Sequence, residues 1–235
     1  MQRVLNQLVD RLQKTYQDRL VSVILYGSAA VGDHGRFSDI NILCVLAQVT
    51  PRELAESSPI FHWWRELGSP APLLLSREEV RTSTDCFPIE FHDIRERHRV
   101  LHGEDVVATL EVDDSFYRAQ VEHELRAKML RLRQKAAGIL GDKDLLRQLL
   151  ADSISTFCVL FRHAILLGGE EAPFEKRAII EHSMRKFVFD ASPFHTLLDL
   201  REGKTAPRDV VPSSLFEQYL KGIQTVVDSV DRLEK

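Results

Sequence analysis

The stretch from Ser22 to Leu46, SVILYGSAAVGDHGRFSDINILCVL, limits what this chain can fold into more than any other. Val23, Ile24, Leu25 and Tyr26 form an apolar, β-favouring run that stops at Gly27-Ser28. Ala29, Ala30 and Val31 suit one helical turn, which Gly32 can end. A second run, Ile40 to Leu46, follows Ser38-Asp39. In an extended chain Asp39 and Asn41 point to one sheet face, and Ile40 and Ile42 to the other. The pattern predicts strand, tight turn, short helix, loop, strand. It places Gly27-Ser28 at the end of one strand, with Asp39 and Asn41 near the start of the next. That arrangement can hold a phosphate on turn amides and a cation on a carboxylate.

The spacing carries a second message. Tyr26-Gly27-Ser28 is followed by ten residues, Ala29 to Ser38, and then by Asp39-Ile40-Asn41-Ile42. This resembles the signature of the polymerase-β-like nucleotidyltransferase superfamily: a hydrophobic residue, Gly, Gly or Ser, a spacer of about ten residues, then Asp-hydrophobic-Asp/Glu-hydrophobic. The resemblance implies transfer of a nucleoside monophosphate from a nucleoside triphosphate, with ATP the expected donor, to a hydroxyl of a small molecule or protein. It implies Mg²⁺ or Mn²⁺ as cofactor, held by Asp39, Asn41 and Glu90, which are also the catalytic positions. Gly27, Ser28 and the loop residue Arg36 would bind the triphosphate. Asn41 departs from the pattern, because the family has its second carboxylate there, and an amide offers an oxygen without a charge. A second reading is therefore a catalytically weakened nucleotide-binding or regulatory module of the same fold.

Phe87-Pro88-Ile89-Glu90-Phe91-His92-Asp93-Ile94 alternates polar and apolar residues and reads as a third strand. On a strand, Glu90 and His92 share a face, and Asp93 falls on the opposite one. In the family a third carboxylate enters from a strand beside the Asp-x-Asp strand, and Glu90 is its best match, with Asp93 the competitor. The following Val100 to Asp105 resembles the short segment that closes the family's first domain.

Around these stretches the chain reads as helices. Val4, Leu5, Leu8, Val9 and Leu12 recur at helical spacing. Thr50-Pro51 can open a helix running toward Leu67, in which Phe61, Trp63 and Trp64 read as core. Pro72 to Leu75 reads as a short strand, and Ser76 to Glu79 as a capping box. From Phe116 onward only helical patterns appear. Val121, Leu125, Met129, Leu132, Ala136 and Ile139 form one apolar seam, and Leu146, Leu150, Ile154, Phe157 and Phe161 a second. Further helices are predicted over 174–187, 193–201 and 213–233. The expected fold class is α+β: a nucleotidyltransferase-type mixed sheet domain over residues 1–112, then an all-α helical bundle over 113–235. The kanamycin and streptomycin nucleotidyltransferases share that plan.

Composition narrows partners and compartment. A net charge of −4 argues against nucleic acid. The start has no signal-peptide core. The most apolar run, Thr156 to Leu167, is interrupted by Arg162-His163 and reads as too short to span a bilayer. The expectation is a cytoplasmic protein, not membrane-bound, whose partners are a nucleoside triphosphate and an unidentified acceptor, with a homodimer compatible. The three cysteines, Cys44, Cys86 and Cys158, read as buried free thiols. Arg118, Arg126, Lys128, Arg131, Arg133 and Lys135 load the first bundle helix with positive charge, and Glu122 and Glu124 on it are candidates for a general base. His98 and His102 have a metal-like spacing without a third ligand. Arg177 to His182 fits the Arg-x4-His pattern of HEPN ribonucleases, a short and weak motif.

Overall fold

The computed structural model describes residues 1–31 and 40–233, with only the backbone at Ser28 and Val31. The chain divides into two compact units, Met1–Asp114 and Ser115–Lys235. The first is built on a four-stranded sheet ordered β3-β2-β1-β4, from β1 (Leu20–Tyr26), β2 (Asn41–Leu46), β3 (Leu73–Ser76) and β4 (His98–Gly103). β1 pairs antiparallel with both β2 and β4, and β2 pairs parallel with β3, so the sheet is mixed.

Both faces of this sheet are covered, which is why β1 and β2 read as nearly continuous apolar runs. Val23 and Leu25 pack with Ile42, Cys44 and Leu46 against α1 (Gln2–Tyr16) and α2 (Pro51–Glu66) through Leu5, Leu8, Leu12, Tyr16 and Trp64. Ile24, Leu43 and Val45 face the other way, onto Val80 of α3 (Arg77–Thr82) and Phe91 and Ile94 of α4 (Pro88–Glu96). The strand period of two thus sorts one apolar run into two cores. Capping boxes at Thr50/Glu53 and Ser76/Glu79 start α2 and α3. The Glu53 carboxyl is held down to about 2, first by the Thr50 hydroxyl and then by Arg19.

The stretch expected as a third strand is a helix. Pro88 occupies the first turn of α4, and the strand follows it, at His98–Gly103. Ile89, Phe91 and Ile94 are buried, and the sheet has its fourth strand without these residues. The alternation that suggested a strand is only as long as two helical turns, too short for its period to decide. β4 ends at Gly103, where φ is +80° and an added Cβ would sit 2.0 Å from the Val21 carbonyl oxygen.

The second unit is all helical among its described residues: α5 (Tyr117–Ala137), α6 (Lys143–Leu167), α7 (Lys176–Phe187), α8 (Ser192–Glu202) and α9 (Pro212–Asp231). α6 is the central element and packs against α5, α7, α8 and α9. Its Phe157 and Phe161 meet Phe194 and Tyr219 in an aromatic cluster, with Phe194 and Tyr219 centroids 4.9 Å apart. The apolar run that read as too short to span a bilayer belongs to a helix of 25 residues, long and apolar enough by length and composition; 56% of its most apolar window is buried inside the bundle. Arg162 and His163 are buried too, His163 Nδ1 lying 2.6 Å from the Tyr117 hydroxyl. Of the cysteines, Cys44 and Cys158 are buried, and burial pushes both thiols up to about 12. Cys86 is exposed, contrary to expectation, because it lies in the turn before α4 and not in an apolar strand.

Candidate active site

β1 runs out at Tyr26, and the chain turns at Gly27 with φ +76°. A side chain in that left-handed region costs about 1–2 kcal/mol, so glycine suits the position. The Gly27 N–H donates to the Arg97 carbonyl at 2.9 Å, and the Gly27 carbonyl accepts from the Ala30 N–H at 3.0 Å. A short 3-10 turn, Ser28–Val31, follows. The Gly27 amide is therefore committed, whereas the N–H groups of Ser28 and Ala29 make no hydrogen bond to another described backbone group.

Asn41 opens β2 directly across the ladder from Tyr26. Its Nδ2 lies 3.5 Å from the point a Cβ on Gly27 would occupy, so the Asn41 amide sits against the turn. Asp39 and Arg36 lie outside the described residues, as does the Ser28 side chain.

Glu90 approaches the turn from α4, not from a strand. Helical spacing puts Glu90 and Asp93 along one side of α4, and Arg97, just past its end, is the residue whose carbonyl receives the Gly27 N–H. The electrostatics agree: the Tyr26 phenol is pushed up to about 12, by burial first and then by the charges of Glu90 and Asp93. As a helix, α4 sets Glu90 and Asp93 one turn apart, and both are within electrostatic reach of Tyr26. A strand would have separated them, and the sequence reading set Asp93 aside on that ground. The signal that could have found it was Pro88, a residue favoured in the first turn of a helix and poorly tolerated inside a sheet.

Among the described residues, no three His, Cys, Asp or Glu side chains converge on a point suited to a metal ion. The Asn41 amide, which lies against Gly27, and the Glu90 and Asp93 carboxylates, which influence Tyr26 electrostatically, each carry an oxygen that can donate to a cation. That set fits a hard divalent cation such as Mg²⁺ or Mn²⁺ and not a thiolate-preferring one.

Other candidates are accounted for elsewhere. His98 and His102 lie on β4, where four residues span about 13 Å; His98 contacts Asp105 at 3.1 Å and His102 contacts Gln13 at 3.1 Å. Glu122 is held between Arg126 at 2.8 Å and Arg118 at 2.9 Å, and Arg126 above all lowers its pKa, which makes it a weak base. Arg177 bonds Asp199 and Glu202 at 2.7 and 2.8 Å, and His182 bonds Glu170 at 2.6 Å, so both residues of the Arg-x4-His motif are engaged in ion pairs.

Comparison with known proteins gives the same assignment for the first unit. The family model described as "Nucleotidyltransferase domain" matches residues 5–135. A spectinomycin adenyltransferase from Enterococcus faecialis, solved with ATP and spectinomycin, superposes with a TM-score of 0.60 at 12% identity, covering 97% of this chain and 99% of that one. At that identity the likeness is one of fold, and it spans both units. A toxin–antitoxin structure with AMP-PNP matches with a TM-score of 0.33 at 16% identity, covering 59% of this chain and 96% of that one. Against curated protein sequences the chain finds no significant match.

Proposed function

From the premise that this chain belongs to the nucleotidyltransferase-domain family, within the polymerase-β-like superfamily, we propose that it transfers a nucleoside monophosphate from ATP or another nucleoside triphosphate to a hydroxyl of a small molecule. One observation carries the reading. A left-handed glycine turn at the end of β1 has the Asn41 amide against it, and the Glu90 and Asp93 charges of α4 reach the adjoining Tyr26. The fold neighbour solved with ATP and spectinomycin supports ATP as donor and a small hydroxylated molecule as acceptor.

In this reading the Ser28 and Ala29 amides receive a phosphate oxygen, and Gly27 lets the triphosphate approach the backbone. Asp39, Asn41 and Glu90 would hold Mg²⁺, and Arg36 would bind the triphosphate. A divalent cation bound there would neutralise charge developing on the α-phosphate as pyrophosphate leaves. Tyr26 is a hydroxyl donor at neutral pH, as any tyrosine is, and burial raises its pKa further. The test is pyrophosphate release and thermal stabilisation with each nucleoside triphosphate, with and without Mg²⁺. We expect Mg²⁺-dependent stabilisation and turnover that vanish in Asp39→Ala. Unchanged binding in that variant would remove the site from this place.

Asn41 favours a second reading, in which the site holds nucleotide with little chemistry. Metal-dependent binding without pyrophosphate release, in both the native chain and Asn41→Asp, would select it.

A further inference from the structure

α5 carries six cations between Arg118 and Lys135, and the structure separates them by what they do. Arg118 and Arg126 both bond Glu122. Lys128 pairs with Glu124 at 3.2 Å, and Arg133 donates to Gln224 at 3.1 Å. Arg131 and Lys135 have neither a hydrogen bond nor an ion pair with any described residue, and both are exposed. They are four residues apart, so they share a side of the helix and repel each other there.

These two line a cavity of about 190 Å³ in the shoulder between α5 and α6. Each helix presents the same spacing to it: Lys128, Arg131, Leu132 and Lys135 from α5, and Leu149, Asp152, Ser153 and Thr156 from α6. Phe157 adds aromatic surface at its base. Ser153 is fixed from behind, its hydroxyl 2.8 Å from the Leu150 carbonyl and 3.1 Å from the Tyr219 hydroxyl. The result is an apolar floor of Leu132, Leu149 and Phe157, a cationic rim on one side, and Asp152 on the other. Asp152 also has no ion pair with a described residue, so it does not neutralise the rim.

We propose that this shoulder is a binding site for a small organic anion: one phosphate or carboxylate head on an apolar body of about ten heavy atoms, a size suited to a cavity slightly larger than those that hold benzene. The head lies on Arg131 and Lys135, with Lys128 behind, and the body rests on Leu132, Leu149 and Phe157. The volume and the opposing Asp152 charge discriminate against a long polyanion, so a nucleic acid strand is a poor occupant. Arg131 lies fourteen residues along α5 from Tyr117, about 21 Å of helix. The site is made wholly by the second unit and shares no residue with the turn at Gly27.

The test uses phenyl phosphate as probe, with inorganic phosphate and benzyl alcohol as its two halves, followed by calorimetry and by methyl NMR shifts of Leu132 and Leu149 in the full chain. We expect phenyl phosphate to bind more tightly than either half and to move both methyl groups. Arg131→Gln with Lys135→Gln should weaken binding by at least tenfold; both side chains are exposed and unbonded, so the fold should hold. Asp152→Asn, which removes the opposing charge, should tighten it several-fold. Gly27→Val, which blocks the other candidate site, should leave it unchanged. Equal binding of inorganic phosphate, loss of binding in Gly27→Val, or indifference to the double substitution would each overturn the assignment.

Discussion

Two stretches meet at Tyr26, and they behaved oppositely. Ser22 to Leu46 folds as its pattern predicts wherever it is described, whereas Phe87 to Ile94 reads as a strand and is a helix. The difference lies in what fixes each one. The first is pinned by strands buried on two faces and by a glycine whose φ of +76° few other residues adopt. The second has eight residues, one alternation and a proline, and packing decides between two periods that both bury Ile89 and Phe91. A backbone-specified turn is readable from one residue. A short amphipathic segment is not, because its burial pattern is nearly the same in both forms.

That contrast can be broken or sharpened by substitution. The largest effect should come from Gly103→Ala, where the new methyl group would strike the Val21 carbonyl at 2.0 Å in a left-handed backbone. We expect a loss of roughly 3 kcal/mol or more in denaturant unfolding of the full chain. Gly27→Ala carries only the backbone term, since its nearest neighbour is an ordinary 3.5 Å away. It should cost about 1–2 kcal/mol. Equal losses at the two glycines would show that β4 is held less rigidly than described.

Asn41→Asp restores a charge beside the turn and should tighten Mg²⁺ binding by about tenfold, or roughly 1.4 kcal/mol, read by calorimetry with triphosphate present. Asp93→Asn tests the helix directly. With α4 as a helix, Asp93 lies with Glu90 near Tyr26, and the substitution should weaken Mg²⁺ binding several-fold, roughly 1 kcal/mol. With a strand there it would face away and change nothing. The mildest effect concerns pH. The Glu53 carboxyl is depressed in the folded state to about 2, so its contribution is present above its unfolded pKa of about 4.3 and is lost as pH falls toward 2. Glu53→Gln should therefore lower stability at neutral pH and flatten the acid limb between those values, with the two proteins converging as pH falls toward 2.

Much of the architecture was legible, and for identifiable reasons. The seam Val121, Leu125, Met129, Leu132, Ala136 repeats long enough for its period to be unambiguous, and all five are buried in α5. Thr50 announced a helix start because Pro51 follows it, Ser76 because Glu79 comes three residues later, and a capping box forms at each. At the site, Gly27 and Asn41 were legible because spacing between two strong strands defines their positions. Asp93 was not, because its placement depends on a helix that local sequence does not impose. The freedom of Arg131 and Lys135 was equally hidden. Six cations on one helix look alike until their partners are known.

The central position of α6 also bears on how the chain is made. Synthesis proceeds from the N-terminus, so α6 emerges with only α5 of its bundle neighbours already present. Phe157 and Phe161 must wait for Phe194 of α8 and Tyr219 of α9 to arrive before their aromatic cluster closes. During that interval a 25-residue apolar helix is uncovered on the side that these later elements will take. A chain cut anywhere before Pro212 would keep that surface permanently exposed. Such fragments should be recovered bound to chaperones or in aggregates.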